Sequence, residues 1–135
     1  MKISRELLNQ IHQHLEAGYP NDACGVMLGK DGVITEIIRA DNQRTDSARN
    51  RYLIDPLVYM KIEHDADKRA LQVLGIYHSH PEVPAHPSQF DLDNAWPNFS
   101  YLIVSVAKRK AVESNSWRLR NDRSGFDREP VEILE

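Results

Sequence analysis

One short segment decides the fold of this chain and points to its chemistry: Tyr77-His78-Ser79-His80-Pro81. A mostly apolar run, residues 71–76, leads directly into the first histidine and predicts a central strand that is covered on both faces. Because side chains alternate along a strand, His78 and His80 lie on one face and Ser79 lies on the other. Two imidazoles on one face, roughly 6–7 Å apart along the backbone, can bind a single metal ion.

The residues after this strand complete a predicted metal site. Residues 81–87 contain three prolines and predict a stiff loop, and Ser88 and Asp91 have the spacing of a helix start. A catalytic zinc ion typically has three protein ligands and one open position. We therefore predict that His78, His80 and Asp91 bind Zn²⁺. Ser88 is placed to donate a hydrogen bond to a developing oxyanion.

Each of these residues also has an ordinary structural explanation. Asp91 could be an acid favoured by the helix dipole, Ser88 could be only a helix cap, and the histidines could end a strand in solvent. All of these residues together, after a buried strand and across a proline-rich loop, favour the metal site.

Other reactive side chains have weaker claims. The apolar neighbours of Cys24 favour a small buried residue over a nucleophile paired with a histidine. A surface position is favoured for His86 over a contact with substrate or a stray metal ligand. His12 and His14 are two residues apart in a predicted helix, so they point to different faces and cannot bind one metal ion together. Both are predicted to be polar residues that face solvent.

Composition restricts the class of protein. The 135 residues fit one domain, residues 1–135, and a hydrophobic content of 41% is enough for a core. The net charge of -3 and a pI near 6.1, without a long basic block, argue against nucleic-acid binding. No run approaches the roughly 20 apolar residues of a membrane span. We expect a cytoplasmic protein without nucleic-acid or membrane partners, and a homodimer stays open.

The first third of the chain predicts a helix followed by two antiparallel strands. Helical spacing of apolar residues covers 4–18, and a buried strand is predicted over 21–28. A hairpin turn at 31–32 leads to a β-branched returning strand over 33–40. The polar segment 41–51 carries three arginines and is predicted to be an exposed loop.

The remainder alternates helices and strands. A short strand over 52–54 precedes a helix that begins at Asp55-Pro56, with Asp55 as its cap. Five residues are predicted to form the buried stripe of this helix: Leu57, Val58, Ile62, Ala66 and Ala70. A short third helix begins at Ser88, and four further strands or edge segments are predicted over 100–107, 111–113, 117–120 and 130–134. These elements predict an α/β fold in which about three helices flank a mixed sheet.

The signature residues resemble a known enzyme family. The spacing of His78-Ser79-His80-Pro81, Ser88 and Asp91 is similar to that of the JAMM/MPN-plus zinc metallopeptidases. The resemblance to small single-domain prokaryotic members extends through several other segments: Tyr19-Pro20, Ala23-Cys24-Gly25, Leu28-Gly29, Tyr52, Asp55-Pro56 and residues 101–105. It implies a cytidine-deaminase-like α/β fold with zinc at the edge of the sheet.

This resemblance also implies an activity and a partner. The expected reaction is hydrolysis of a peptide or isopeptide bond after the flexible C-terminal tail of a ubiquitin-like protein. In bacteria the expected partner is a small sulfur-carrier protein that ends in Gly-Gly. The resemblance makes His78, His80 and Asp91 the metal ligands and Ser88 the residue that assists the oxyanion.

One position departs from the family pattern. The family places a glutamate just before the Ala-Cys-Gly segment as the general acid and base, and this chain has Asp22 there. Aspartate keeps the carboxylate but is shorter by about 1.5 Å, and a misplacement near 1 Å can cost on the order of 10²-fold in rate. Asp22 is thus a repositioned catalytic base, a sign of weak or lost activity, or only a turn residue. Three glutamates could substitute but lack the family spacing: Glu16, Glu36 and Glu82.

Two functions from different classes follow. The first is a zinc-dependent peptidase or isopeptidase that uses Asp22 and Ser88. The second is a module that keeps the fold and the zinc ion and only binds the tail of its partner. Metal-assisted deamination of a nucleotide is disfavoured, because the chain lacks the pair of cysteines that such zinc sites use.

Overall fold

A computed structural model describes residues 1–40 and 54–135. Within these two ranges the chain forms eight strands and three helices. In chain order they are β1 (Lys2–Ser4), α1 (Arg5–Gly18), β2 (Cys24–Lys30), β3 (Val33–Ala40), α2 (Pro56–Lys68), β4 (Gln72–Pro81), α3 (Gln89–Asn94), β5 (Ser100–Ala107), β6 (Lys110–Leu119), β7 (Phe126–Glu129) and β8 (Glu132–Leu134). The strands form one mixed sheet in the order β7-β6-β5-β4-β2-β3-β1-β8. The predicted α/β class, with three helices around a mixed sheet, is confirmed.

Strand β4 lies in the middle of the sheet. It pairs antiparallel with β2 and parallel with β5, and it is buried from Gly75 to His80. The predicted central strand that ends in the two histidines is therefore confirmed. Gly75 allows this close pairing, since a Cβ atom there would clash with the backbone of Ser100 on β5.

Helices cover both faces of the sheet. Helix α1 packs on one face, where its apolar stripe meets strand residues such as Met27 and Tyr77. Helix α2 packs on the other face against Val26, and Ile76 lies on that same face in a cluster with Ala95. Alternation along β4 places His78 and His80 on the face of Ile76.

The predicted helix starts are confirmed. The hydroxyl of Ser4 accepts a hydrogen bond from the Leu7 amide at 3.2 Å, and Asp55 accepts one from the Leu57 amide at 2.8 Å. These side chains satisfy backbone amides that have no partner within the helix. Each cap therefore fixes the residue at which its helix begins.

The predicted buried stripe of α2 is wrong in three of its five positions. Leu57, Val58 and Ala70 are exposed, and the residues that α2 buries are Tyr59, Ile62 and Ala66. This set has the i, i+3, i+7 spacing of one helix face, which the five predicted positions do not keep. The ring of Tyr59 packs edge-on against Trp96, with centroids 4.8 Å apart. Tyr59 is therefore buried although it has a polar hydroxyl group.

Several strand boundaries also differ from prediction. Strand β2 begins at Cys24 rather than at residue 21 and continues to Lys30. Strand β6 is continuous where two separate pieces were predicted, because pairing with β5 along its whole length overrides the polar residues at its centre. Strands β1 and β7 were not predicted; both are very short. The predicted edge segment at 130–134 contains β8, which pairs parallel with β1.

Some predictions fall on other parts of the chain. The loop 41–51 and the first two residues of the predicted strand 52–54 lie outside the described residues, and Ile54 is not in a strand.

His12 and His14 were predicted to face solvent, but both are partly buried. His12 Nε2 lies 2.8 Å from the Ser114 hydroxyl and His14 Nδ1 lies 2.7 Å from the Tyr77 hydroxyl, so each helps to fix α1 on the sheet. Across the described ranges, none of the helices has the length and apolar character needed to cross a membrane.

Candidate metal centre

The structure brings three predicted ligands together. Strand β4 supplies His78 and His80 from one face, and the first turn of α3 supplies Asp91. Their exposed fractions are 2%, 7% and 8%, and their ligand atoms all lie within 4.8 Å of one another. The short proline-rich loop between β4 and α3 returns the chain to the end of β4, which is why residues 11 positions apart meet.

Both imidazoles point to the same carboxylate. His78 Nε2 lies 3.3 Å from Asp91 Oδ1, and His80 Nε2 lies 3.1 Å from Asp91 Oδ2. The two rings are 5.0 Å apart between centroids and nearly perpendicular. Three ligand atoms thus face one small space from different directions, as a tetrahedral metal site with one open position requires.

Ser88 and Asp91 form a reciprocal helix cap. The Ser88 hydroxyl accepts from the Asp91 amide at 3.1 Å, and the Ser88 amide donates to Asp91 Oδ2 at 2.9 Å. The capping explanation and the functional explanation are therefore compatible. A serine hydroxyl that accepts a hydrogen bond still has its own proton to donate, and the cap fixes the carboxylate that faces the histidines.

The electrostatics of the cluster suit metal binding. Burial lowers the pKa of His78 to about 4, so this ring is neutral. Burial also lowers the pKa of His80, but the hydrogen bond and negative charge of Asp91 outweigh it and raise that pKa above its ordinary value. Although burial opposes ionisation of Asp91, its hydrogen bonds with His80 and with the Ser88 amide lower its pKa to about 2.

This donor set fits a metal ion of borderline softness. A neutral imidazole and an ionised carboxylate are the protonation states that bind a metal ion. Buried polar groups of this kind are costly without compensation. A cation would neutralise Asp91 and satisfy the ring nitrogens that point at it. The cluster His78, His80 and Asp91 therefore fits a metal ion.

The loop beside the site is fixed by hydrogen bonds that the sequence did not indicate. Three consecutive carbonyl oxygens of the loop have side-chain partners. Ser105 donates to the carbonyl of Val83, and His80 Nδ1 lies 3.0 Å from the carbonyl of Pro84. The carbonyl of Ala85 accepts from two side chains of β6. The Pro84 carbonyl acts on the metal site directly. It holds the proton of His80 on Nδ1 and leaves Nε2 as the ligand atom.

Strand β6 supports this loop through side chains on one of its faces. Asn115 Nδ2 and Trp117 Nε1 donate to the Ala85 carbonyl at 3.2 and 3.1 Å, and Glu113 accepts from the Ala85 amide at 3.0 Å. The i, i+2, i+4 spacing of these three residues was the available sequence signal. Nothing in the sequence indicates that the face would meet the proline-rich loop.

Removal of the Asn115 side chain is expected to weaken metal binding. Asn115 is 3% exposed and lies between the Ala85 carbonyl and the Arg128 guanidinium, which donates to its Oδ1 at 2.7 Å. Asn115→Ala loosens the loop that orients His80, and loss of such a supporting group costs roughly 10-fold or more in metal affinity. Competition of the protein with a chelator for added Zn²⁺ measures the change. Val112→Ala, an exposed position on the same strand, is the control, and equal affinities in the two variants would contradict the role of Asn115.

Asp22 lies beside the cluster. The Ser79 amide donates to the Ala23 carbonyl at 3.0 Å, and the Ala23 amide donates to the Ser79 hydroxyl at 2.9 Å. These contacts continue the antiparallel pairing of β2 and β4 to the residues just before β2 begins at Cys24, so Asp22 lies opposite His80. Asp22 is 4% exposed, which excludes a role as a simple surface turn residue.

Burial is the main influence on the charge of Asp22. Burial raises the pKa of Asp22 from 3.8 to about 7; His80 acts against this change and Asp91 adds to it. A carboxylate with a pKa near neutrality can both accept and return a proton at physiological pH. Such a value is typical of functional sites and comes here from desolvation beside a cluster of charges.

The pKa of Asp22 predicts how the stability of the metal-free protein depends on pH. The folded state keeps the Asp22 proton up to about pH 7, whereas the unfolded chain releases it near pH 3.8. Between these values folding becomes less favourable as pH rises, by an amount on the order of 4 kcal/mol at most. We expect Asp22→Asn to be more stable than the wild type at pH 8, with the difference vanishing near pH 4.

Urea unfolding of chelator-treated protein at both pH values measures this effect. Asp67→Asn, an exposed position on α2, controls for the loss of one negative charge. If Asp22→Asn gains no more stability at pH 8 than Asp67→Asn does, then ionisation of Asp22 does not reduce the free energy of unfolding.

The three alternative glutamates have other contacts. Glu16 accepts from the Ala111 amide at 2.8 Å, and Glu36 pairs with Arg69 at 2.7 Å. Glu82 accepts from the Tyr19 hydroxyl at 2.6 Å and from the amide of Lys108 at 2.8 Å. None of the three is part of the cluster that the structure assembles from the described residues.

Cys24 and His86 occupy the places that were predicted for them. Cys24 is fully buried on β2, and His86 is exposed in the loop before α3. The ring of His86 lies against Trp117, with centroids 5.3 Å apart. The burial of Cys24 agrees with the small packing residue that its apolar neighbours predicted.

Several known proteins are similar to this chain. The family model of prokaryotic homologs of the JAB domain matches residues 4–120. A probable TtuB-protein conjugate cleaving protease of Thermus thermophilus is 34% identical over 77% of this chain and 69% of its own length. A CysO-cysteine peptidase of Mycobacterium tuberculosis is 26% identical over 98% of this chain and 90% of its length. A desampylase of Haloferax volcanii is 34% identical over 87% of both.

Solved structures show the same fold. A protein from Salinibacter ruber is 36% identical, with a TM-score of 0.77 over 100% of this chain and 92% of that one. A JAB1/MPN domain protein from Archaeoglobus fulgidus is 22% identical, with a TM-score of 0.64 over the whole of both chains, and at this identity it supports the fold alone. The family match spans the strand, loop and helix that carry His78, His80 and Asp91, and this chain belongs to the prokaryotic JAB-domain family.

Proposed function

We propose that the protein is a zinc-dependent metallopeptidase or isopeptidase. It hydrolyses a peptide or isopeptide bond at the C-terminal Gly-Gly tail of a ubiquitin-like or sulfur-carrier protein. The buried cluster of His78, His80 and Asp91, with Asp22 beside it, is the observation that carries this proposal. Relatives that are named for cleaving TtuB-protein conjugates and CysO-cysteine support the choice of substrate.

Each residue has a separate task in this proposal. His78, His80 and Asp91 hold the zinc ion, which supplies an activated water and polarises the substrate carbonyl when it is bound. Asp22 accepts a proton from the attacking water and later delivers it to the leaving amine. Ser88 donates a hydrogen bond to the oxygen on which negative charge develops. The tail lies extended beside the sheet, which presents its last peptide bond in a regular way.

The alternative is a zinc-binding module with weak or no hydrolytic activity. Its support is the shorter carboxylate at position 22, where the family has glutamate. The same tail would bind in the same place, but the proton transfers would be slow. The two functions differ in turnover and not in affinity for the partner.

Metal analysis and a cleavage assay test the proposal together. Purified protein is expected to contain about one zinc ion per chain. A sulfur carrier from the same genome, extended beyond its Gly-Gly tail, is expected to be cleaved after the second glycine and to lose cleavage after chelation. Zinc without cleavage, together with binding of the carrier, would favour the module. A protein that neither binds zinc nor recognises the carrier would refute both functions.

We also propose the organisation and location of the protein. Residues 1–135 form a single domain, since one continuous sheet joins β8 at one edge to β7 at the other. The protein acts in the cytoplasm on a protein partner, without nucleic acid. A homodimer stays a prediction, which light scattering of the purified protein measures.

A further inference from the structure

A groove lies beside the metal centre. It has a volume of about 300 Å³, and we call it the aromatic groove. Six of its eight lining residues are His86, Ser88, Leu92, Trp117, Gly125 and Phe126. They come from the proline-rich loop, from α3, and from the hairpin formed by β6 and β7.

The aromatic groove is continuous with the predicted catalytic residues. Ser88 lines the groove, and its amide donates to Asp91 at 2.9 Å. Asp91 in turn lies 3.1 Å from His80. A substrate whose carbonyl oxygen meets the Ser88 hydroxyl therefore has the entrance of the groove next to its scissile bond.

The lining of the groove combines polar side chains with the faces of aromatic rings. The rings of His86 and Trp117 lie 5.3 Å apart at a tilt of 49°, and Phe126 adds a third ring. The indole nitrogen of Trp117 donates to the Ala85 carbonyl, so its polar atom is already satisfied. The ring faces that remain offer mainly dispersion contacts and burial of apolar surface.

The chemistry of the tail decides which part of a substrate can fill this groove. Two glycines precede the scissile bond, and glycine has no side chain to place in a cavity. On the other side of the scissile bond, the residue that supplies the leaving amine is the nearest one that can have a side chain. We propose that the aromatic groove binds the apolar part of the leaving-amine residue, either an aliphatic side chain or the methylene stem of a lysine. This inference rests on the proposed function, and it makes the groove a determinant of specificity for the leaving group.

Gly125 offers a variant that fills the groove. A Cβ atom at Gly125 would meet only the flexible end of Arg120, at 3.3 Å, and its backbone is not in the left-handed region. Because Gly125 lines the groove, Gly125→Leu is expected to fold and to narrow it. His86→Ala removes one ring from the lining, and His64→Ala, at an exposed position on α2, is its matched control.

Equilibrium binding separates this inference from turnover. The probe is a sulfur carrier with a Gly-Gly tail from the same genome, joined after the second glycine to leucine, glycine or aspartate, or through an isopeptide bond to lysine. Dissociation constants are measured in an Asp22→Asn background, in which cleavage is expected to be slow compared with binding. The leucine or lysine conjugate is expected to bind about tenfold more tightly than the glycine and aspartate conjugates, a usual effect of filling an apolar pocket.

The variants are expected to change this preference selectively. Gly125→Leu should remove the preference while the glycine conjugate keeps its affinity, His86→Ala should reduce it, and His64→Ala should leave it unchanged. A preference confined to leucine identifies a peptide α-amine as the leaving group, and one confined to lysine identifies an isopeptide. Equal binding of all four conjugates overturns the role of the groove but not the proposed function. If no conjugate binds, both fail.

Discussion

Replacement of His78 or His80 by alanine is expected to abolish zinc binding and proteolytic activity together. Each imidazole supplies one of three ligand atoms that lie within 4.8 Å of one another. Two protein ligands are one fewer than the three that a catalytic zinc ion typically has, so zinc binding is expected to be lost. Activity is expected to fall by at least about 10³-fold, because both the activated water and the polarised carbonyl depend on the ion.

Metal content and cleavage must be measured on the same preparations. Atomic absorption gives zinc per chain, and the extended sulfur carrier gives the rate. His64→Ala is the matched control, since it removes an exposed histidine on the α2 helix and leaves the β4 strand unchanged. A zinc-free His78→Ala protein that still cleaves the carrier would falsify the mechanism. Thermal unfolding of each variant after chelation separates a loss of zinc from a loss of fold.

His80→Ala has a second expected consequence. His80 connects the metal centre to the proline-rich loop, since its Nδ1 lies 3.0 Å from the Pro84 carbonyl and its Nε2 lies 3.1 Å from Asp91. We therefore expect His80→Ala to destabilise the metal-free protein more than His78→Ala does, which urea unfolding measures.

The elements with strong local signals were predictable. The central strand could be identified because residues 71–77 are mostly apolar, and the helix starts because Ser4, Asp55 and Ser88 are good capping residues that precede amphipathic segments. The predicted strand over 33–40 coincides with β3 because a turn signal precedes it and its β-branched residues favour a strand. Local chemistry was sufficient in each case.

The errors occur where distant contacts decide. Strand β1 has three residues, and it exists because β3 and β8 lie on either side of it. The buried face of α2 includes Tyr59, whose ring has a partner in Trp96 from a remote part of the chain. No property of a short window contains this information, so such features cannot be predicted from local pattern.

The candidate site shows the same division. His78, His80, Ser88 and Asp91 were predictable because they lie within 14 positions along the chain and their spacing fits a strand, a loop and a helix start. The contacts that fix the site come from elsewhere. Asn115 reaches the loop from β6, and its hydrogen bond to Ala85 depends on where the sheet places that strand.

The second large effect is expected at Asp22. Asp22→Asn keeps the size of the side chain and removes its ability to accept a proton, so the cleavage rate is expected to fall by about 10²–10⁴-fold. Zinc content is expected to stay at the wild-type level, because Asp22 is not one of the clustered ligands. Measurement of kcat and of bound zinc on the same sample separates this result from that of His78→Ala.

Asp22→Glu distinguishes an enzyme from a binding module. The added methylene moves the carboxylate by about 1.5 Å, and displacements of this size change rates by on the order of 10²-fold. Asp22 is buried and lies opposite His80 at a position set by the β2 and β4 register, so we expect the wild-type enzyme to be adjusted to the shorter side chain. The glutamate variant should then be active but slower.

The opposite outcome has an equally definite meaning. If the wild type binds the extended carrier without cleaving it and Asp22→Glu creates cleavage, the natural protein is the binding module, because one methylene supplies the missing reach. If Asp22→Asn cleaves as fast as the wild type, Asp22 is not the base. Asp22, whose pKa burial raises to about 7, would then have a structural role. Its main consequence would be the gain in stability of the metal-free Asp22→Asn protein at pH 8.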